Sequence, residues 1–322
     1  SDDQPLYPGP LEGRQMIGWA LLLLAVVIAI PLVIEATRKR VTRDTRRNAP
    51  GQFATLSQGV VHYDWLGPTR GPVCVCIHGL TTSSYVWGGL TRGLALMGFR
   101  ILIFDHYGRG YSDRPKAAHD DAFYLTELKE LLAHENVGDD ITLIGYSMGG
   151  AIAALFAAKH HDRVRQLILL APAGMGLVRS RLNRFITQTP LIGDWLMLAF
   201  FPRQLRKGIK SEANAKTQVK NIGDMQQAEL DWRGFVPAVL SSLRGVLGRG
   251  LKAEHQIIHR AGIPVLAIWG REDTVISMSS VGVLAEWSRN AHQELIDGAT
   301  HALTYTHADQ ILEIIRDNPP KL

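Results

Sequence analysis

The stretch Asp140-Ile141-Thr142-Leu143-Ile144-Gly145-Tyr146-Ser147-Met148-Gly149-Gly150-Ala151 decides how this chain is read. Its first half is a short, β-branched apolar run of the kind that forms a buried strand. Its second half opens an Ala-rich stretch, 148–160, of helical character. A serine between Gly145 and Gly149 at such a strand-to-helix turn satisfies the Gly-x-Ser-x-Gly elbow. The turn lifts the hydroxyl above the sheet, and the flanking glycines let strand and helix approach without side-chain collision. Ser147 is the candidate nucleophile.

Outward from the elbow, short β-branched runs alternate with longer helical stretches. A hairpin is predicted at 53–57 and 60–66, with central strands at 73–78, 100–105, 140–146, 166–171, 263–269 and 293–297. Helices are predicted at 85–97, 122–136, 148–160, 279–288 and 302–317. This rhythm predicts an α/β fold, a mostly parallel sheet flanked by helices. It breaks once. Residues 174–260 hold amphipathic helical stretches and no strand series, so a helical lid is predicted inside a core of 53–173 and 261–322.

A serine hydroxyl is a poor nucleophile near neutrality and needs a base to take its proton and return it to the leaving group. Of the twelve histidines, His301 alone follows a terminal strand and the turn Gly298-Ala299-Thr300 and precedes a C-terminal helix. It is the candidate base. His292, His307 and the pair His160-His161 are expected on solvated faces or helix ends, and His78 in a structural hydrogen bond. The third member must be a carboxylate that holds the imidazole tautomer. Asp273 fits, four residues past the strand ending at Trp269; Glu272 is its rival, and Asp105 reads as loop-shaping structure. Negative charge on a carbonyl oxygen calls for two backbone N–H donors. Met148, directly after the serine, and Leu80, in His78-Gly79-Leu80, are their expected owners.

Together these features resemble the α/β-hydrolase family over most of residues 53–320. The resemblance is carried by His78-Gly79, by Asp105-His106-Tyr107-Gly108-Arg109-Gly110-Tyr111-Ser112, by the elbow, and by Gly270-Arg271-Glu272-Asp273 with Gly298-Ala299-Thr300-His301. The order Ser, Asp, His is the family's own. The resemblance implies an α/β-hydrolase fold and a serine hydrolase in which 105–112 frames the pocket. With its N-terminal span and helical lid, the chain is most similar to membrane-anchored monoacylglycerol lipases and carboxylesterases. Dehalogenase and epoxide hydrolase relatives carry Asp where this chain has Ser147.

Residues 16–34 are 19 consecutive residues without a charge, and as a helix they would cover about 28 Å of a roughly 30 Å hydrocarbon layer. A transmembrane helix is predicted at 16–35, between a tail at 1–15 and a basic linker at 36–52. A cleaved secretory signal fits less well, because Asp2, Asp3 and Glu12 precede the span against only Arg14 and no small-x-small site follows. Of the net charge of +5, residues 38–47 carry +5 and residues 174–260 carry +8, leaving −8 elsewhere. The positive-inside tendency therefore puts the catalytic domain on the cytoplasmic side. Cys74 and Cys76, the two cysteines, are expected to be held apart by strand alternation as free core thiols, which suits that compartment.

The basic clusters suit an anionic lipid surface, and no nucleic-acid partner is expected because no zinc-ligand spacing or RNA-binding aromatic signature accompanies them. No metal-ligand cluster, phosphate loop or dinucleotide fingerprint is present, so neither metal nor cofactor is expected. The expected function is cleavage of lipophilic carboxylic esters through an acyl-serine intermediate. C–C, thioester, amide or lactone cleavage is the alternative, since the same triad serves them all. A non-catalytic membrane binding protein is disfavoured by the complete triad. Nothing in residues 1–37 supplies a nucleophile, base or anion-site donor. The span is therefore expected to act on substrate encounter alone, leaving a chain that starts near Gln52 active on a short soluble ester.

Overall fold

A computed structural model describes residues 10–176 and 180–319. Eight strands form one sheet: β1 Gln52–Leu56, β2 Gly59–Leu66, β3 Val73–Ile77, β4 Arg100–Phe104, β5 Ile141–Tyr146, β6 Val164–Leu170, β7 Val265–Gly270 and β8 His292–Ile296. Their order is β1-β2-β4-β3-β5-β6-β7-β8. The opening hairpin and the β2–β4 pair are antiparallel, and every later pair is parallel. Parallel strands lie under helices on both faces, which is why β5 and β7 are buried at every position and read as unbroken apolar runs. One face packs against helices Asp121–His134, Met148–Lys159 and Lys252–Arg260; the other packs against Thr91–Leu96, Leu303–Thr306 and Ala308–Asp317.

Two predicted helices are divided. The stretch at 85–97 is a tight 3-10 segment, Ser84–Gly89, followed by Thr91–Leu96. Gly88-Gly89 explains the division, since consecutive glycines weaken an α-helix and a Cβ on Gly89 would press within 3.0 Å of Ala308. The stretch at 302–317 is interrupted at His307, which ends one helix and begins the next. Cys74 and Cys76 are both free and buried, but alternation does not separate them. Residues two apart occupy the same face of a strand, and their sulfurs lie 3.9 Å apart in one apolar cluster.

Between β6 and β7 the chain forms helices Arg181–Gln188, Ile192–Ser211, Ile222–Glu229, Phe235–Arg244 and Lys252–Arg260. The first four build a separate apolar cluster around Met197, Leu230, Phe235, Val236 and Leu240. Lys252–Arg260 instead contributes Ile258 to the main core, so the insertion is shorter than the predicted 174–260. Residues 177–179 of that range lie outside the described residues, as do residues 1–9 of the predicted tail.

The N-terminal helix runs Pro10–Thr37, and its Arg14–Thr37 portion is long and apolar enough to cross a membrane. Among residues 14–37 of this helix, Pro31 and Glu35, one turn apart, are the buried positions, and this face meets the insertion. The segment after it is bound rather than slack. Glu35 accepts from the Gly234 N–H at 2.6 Å. Lys39 forms a parallel bridge with Trp232, donating its N–H to the Asp231 carbonyl at 3.1 Å and accepting from Arg233 N–H at 2.8 Å. Arg46 pairs with Asp113 at 2.6 Å. Residues of the predicted basic linker thus tie the helix to both core and insertion.

Candidate active site

β5 delivers Ser147 in a conformation that side chains seldom adopt, with φ 54° and ψ −116°. The surroundings hold it there: Ser147 N–H donates to Leu170 O, and its own carbonyl accepts from Gly150 and Ala173 N–H, each at 2.9 Å. A Cβ on Gly149 would collide with the Ile77 and His78 carbonyls, and one on Gly145 with the backbone of Gly149 and Gly150. Both elbow glycines are needed for close approach.

His301, after β8, and Asp273, after β7, arrive from separate loops at the same end of the sheet. His301 Nδ1 donates to Asp273 Oδ2 at 2.7 Å, and the Ser147 hydroxyl donates to His301 Nε2 at 2.9 Å. The other Asp273 oxygen accepts from the Val275 and Ile276 N–H groups at 2.7 and 2.8 Å, fixing the carboxylate toward the ring. Glu272 is exposed, and the carboxylate that pairs with the His301 ring is that of Asp273. The order of contacts allows one proton path, from Ser147 to His301, with Asp273 holding the tautomer.

The two candidate anion donors directly follow Ser147 and Gly79. Met148 opens the helix Met148–Lys159, so its N–H is one of the orphan donors at a positive helix end. Gly79 lies against the serine, where a Cβ would sit 3.4 Å from that of Ser147, and Leu80 follows directly. Among the described residues, neither Met148 N–H nor Leu80 N–H has a protein acceptor. His78 makes the structural hydrogen bond expected of it: Nε2 accepts from His106 N–H at 2.9 Å and Nδ1 donates to Gly79 O at 2.8 Å. Burial drives its pKa well down, which keeps Nε2 free to accept.

Asp105 shapes the loop after β4 by accepting from His62 Nδ1 at 2.7 Å, Ser84 N–H at 2.8 Å and Tyr111 N–H at 2.9 Å. Burial alone would raise its pKa, but the hydrogen bond and charge of His62 hold it well below the usual carboxylate range. Two contacts were not legible in advance. Tyr146 donates its hydroxyl to the His301 carbonyl at 2.8 Å, bracing the base. Arg109 is fully buried, and its Nε donates to the Leu80 carbonyl at 3.1 Å. Its other nitrogens reach Tyr107 O at 3.0 Å, Tyr124 Oη at 3.0 Å and Ser242 Oγ at 2.8 Å. One guanidinium therefore joins the candidate anion loop to the inserted helix Phe235–Arg244. The only available signal was a charged residue between Gly108 and Gly110.

Among the described residues, no group of His, Cys, Asp or Glu is placed to hold a metal ion. Residues 72–308 match the family of the α/β hydrolase fold. This chain belongs to that family. The hydrolase is 25% identical over 250 residues to the pimeloyl-[acyl-carrier protein] methyl ester esterase of Aeromonas hydrophila subsp. hydrophila, covering 76% of this chain and 94% of that protein. It is 26% identical over 247 residues to Lipase 1 of Psychrobacter immobilis, covering 73% of each. The enol-lactonase from Burkholderia xenovorans LB400 shares the fold with a TM-score of 0.66 at 20% identity, over 83% of this chain and 98% of that one. The family match, residues 72–308, begins beyond the N-terminal helix Pro10–Thr37.

Proposed function

We propose that this hydrolase is a membrane-anchored serine carboxylic ester hydrolase acting on lipophilic, monoacylglycerol-like esters, with its catalytic domain on the cytoplasmic side. Ser147 attacks the ester carbonyl while His301 takes its proton. The developing oxyanion is met by the N–H groups of Met148 and Leu80. His301 then protonates the departing alcohol, and the acyl-serine is cleaved by a water that His301 activates, with Asp273 orienting the ring throughout. The similarity to an esterase and a lipase favours ester substrates over the other bonds this triad can cleave.

The preference for lipid substrates is carried by the seat of the insertion. Trp195 donates to the Ile28 carbonyl at 2.9 Å. Ile28 stands six residues before Ile34, or about 9 Å down the helix from the end of its apolar stretch. That depth falls within the roughly 5–10 Å to which amphipathic helices sink into a membrane interface. Leu182, Phe185, Leu191, Ile192 and Phe200 of the insertion are exposed, as are Arg203, Arg206, Lys207 and Lys210 on the same helix. This is the composition of a lid half sunk in an anionic leaflet. A cavity of about 170 Å³ between its helices is lined by Met197, Leu198, Val236 and Leu240, with Asp194 and Arg244 among its other walls. These apolar residues belong to the cluster that packs on Leu80, the side from which an acyl chain would approach.

A panel of glycerol monoesters of graded chain length, presented in anionic vesicles, tests the reading. The rate should rise with chain length and fall at high salt, as surface attraction is screened. A preference for short water-soluble esters under all conditions would refute it. Protease added outside intact cells should leave the catalytic domain whole; digestion there would overturn the orientation.

A further inference from the structure

We infer that a cavity between the anchor, the core and the insertion binds the phosphate of an anionic lipid headgroup, an inference that rests on the reading of Pro10–Thr37 as a membrane anchor. The cavity, of about 1050 Å³, is lined by Glu35 and Arg40 beyond the apolar stretch, by Asp113, Arg114 and Lys116 from the loop after β4, and by Arg233 from the insertion. None of the triad residues lines it.

Both acids are already engaged. Glu35 lies 2.8 Å from Arg38 and accepts from Gly234 N–H; Asp113 lies 2.6 Å from Arg46 and accepts from Val60 N–H. Among the described residues, Arg40, Arg114, Lys116 and Arg233 form no ion pair. Arg114 donates only to the carbonyls of Ser112 and Gly110, and its Nε is buried without a partner. The bridge between Lys39 and Trp232 runs parallel, so Arg40 and Arg233 leave it side by side. Like charges on neighbouring extended segments repel. Arg40 and Lys116 are exposed, and Glu229 and Asp105 act on Arg114 from the core side. Yet the four cations that face the cavity from three elements outnumber its two acids, already engaged elsewhere, and so favour an anion among them.

Position identifies the anion. The apolar stretch ends at Ile34. Glu35 follows directly, in the headgroup layer that spans roughly 5–7 Å on each side of the hydrocarbon, and Arg40, six residues on from Ile34, stands at the outer edge of that layer, where lipid phosphates face water. A phosphate held at a glycerophospholipid surface meets this cavity from the membrane side. Once seated, it would bridge anchor, core loop and insertion.

The test uses the full chain in neutral detergent micelles and a fluorescent short-chain phosphatidylglycerol, with binding read by anisotropy. Saturable binding is expected, weakened tenfold or more by Arg40→Gln/Lys116→Gln/Arg233→Gln. Lys129→Gln/Lys159→Gln/Arg289→Gln removes the same charge from exposed positions outside both the cavity and the insertion and should change affinity less than twofold. Equal losses in the two variants, or none in either, would overturn the site. Displacement by glycerol phosphate as effective as by unlabelled short-chain phosphatidylglycerol would make the ligand a free phosphate and overturn the lipid assignment. Flotation with plain phosphatidylcholine vesicles separates the two failures. A wild-type chain that does not float refutes the anchor, whereas one that floats without cation-dependent lipid binding refutes the site alone.

Discussion

Trp195 and Ile28, 167 residues apart in sequence, are joined by an indole N–H donated to a helix carbonyl at 2.9 Å. The contact lies one turn before Pro31, whose missing N–H leaves the Val27 carbonyl without its helical donor. With the Glu35–Gly234 bond and the Lys39–Trp232 bridge, it makes the N-terminal helix and the insertion one packed unit. An anchor acting only on encounter would need no such contacts.

Removing residues 1–51 should therefore weaken the insertion as well as membrane binding. Each lost hydrogen bond is worth about 1 kcal/mol net, so the four contacts made by Ile28, Glu35 and Lys39 together imply a loss of about 4 kcal/mol. Limited proteolysis should cut within Arg181–Arg244 faster, and activity on a short soluble ester should fall. An unchanged cleavage rate with unchanged activity would restore the encounter-only role.

A fluorophosphonate should label Ser147, and Ser147→Ala should remove the label while the fold is retained. His301→Ala should be nearly as severe, because the two residues act as a unit. Asp273→Asn should lower kcat by about 10⁴ through loss of the correct tautomer. Glu272→Gln should be nearly silent, since that side chain is exposed. A reversal between these last two variants would move the carboxylate role.

Arg109→Met should leave the Leu80 and Tyr107 carbonyls without their donor and remove the bonds to Tyr124 and Ser242, which keep only each other, Ala238 O and His119 as partners. A stability loss of about 2–4 kcal/mol follows from these losses. Because Leu80 is a candidate anion donor, kcat should fall more than KM rises. Arg109→Lys should not rescue, since one ammonium cannot reproduce the planar fork. A purely structural residue would lower stability and leave the kcat of the folded fraction intact.

Burial pushes the Glu127 carboxyl up to about 8, against the opposing hydrogen bond from Tyr107 N–H. The folded protein thus keeps a proton that the unfolded chain releases near pH 4.3. The stability this contributes is complete below that pH and is lost as pH rises toward 8. Glu127→Gln is neutral at every pH and keeps the contacts to His106 and Tyr107. Urea midpoints at pH 5 and pH 8 should show the wild type losing stability relative to the variant. A constant difference would mean that Glu127 is ionised throughout.

The elbow, the order Ser147, Asp273, His301 and the strand rhythm were legible in the chain because each is local. Strand and helix periods, a glycine-flanked turn and a histidine after a terminal strand are properties of a few neighbouring residues. Which of two adjacent carboxylates faces His301 was not local, for it depends on the Val275 and Ile276 N–H groups that hold Asp273. Arg109 could be read as a loop residue but not as the link between Leu80 and Ser242, which are 162 positions apart. The charge-free stretch announced a membrane-length helix, while its seat against Trp195 and the grouping of cations beside it came only from the packing of distant elements. Sequence sets which surfaces are apolar or charged; their pairing is decided by how helices joined through a sheet meet in space.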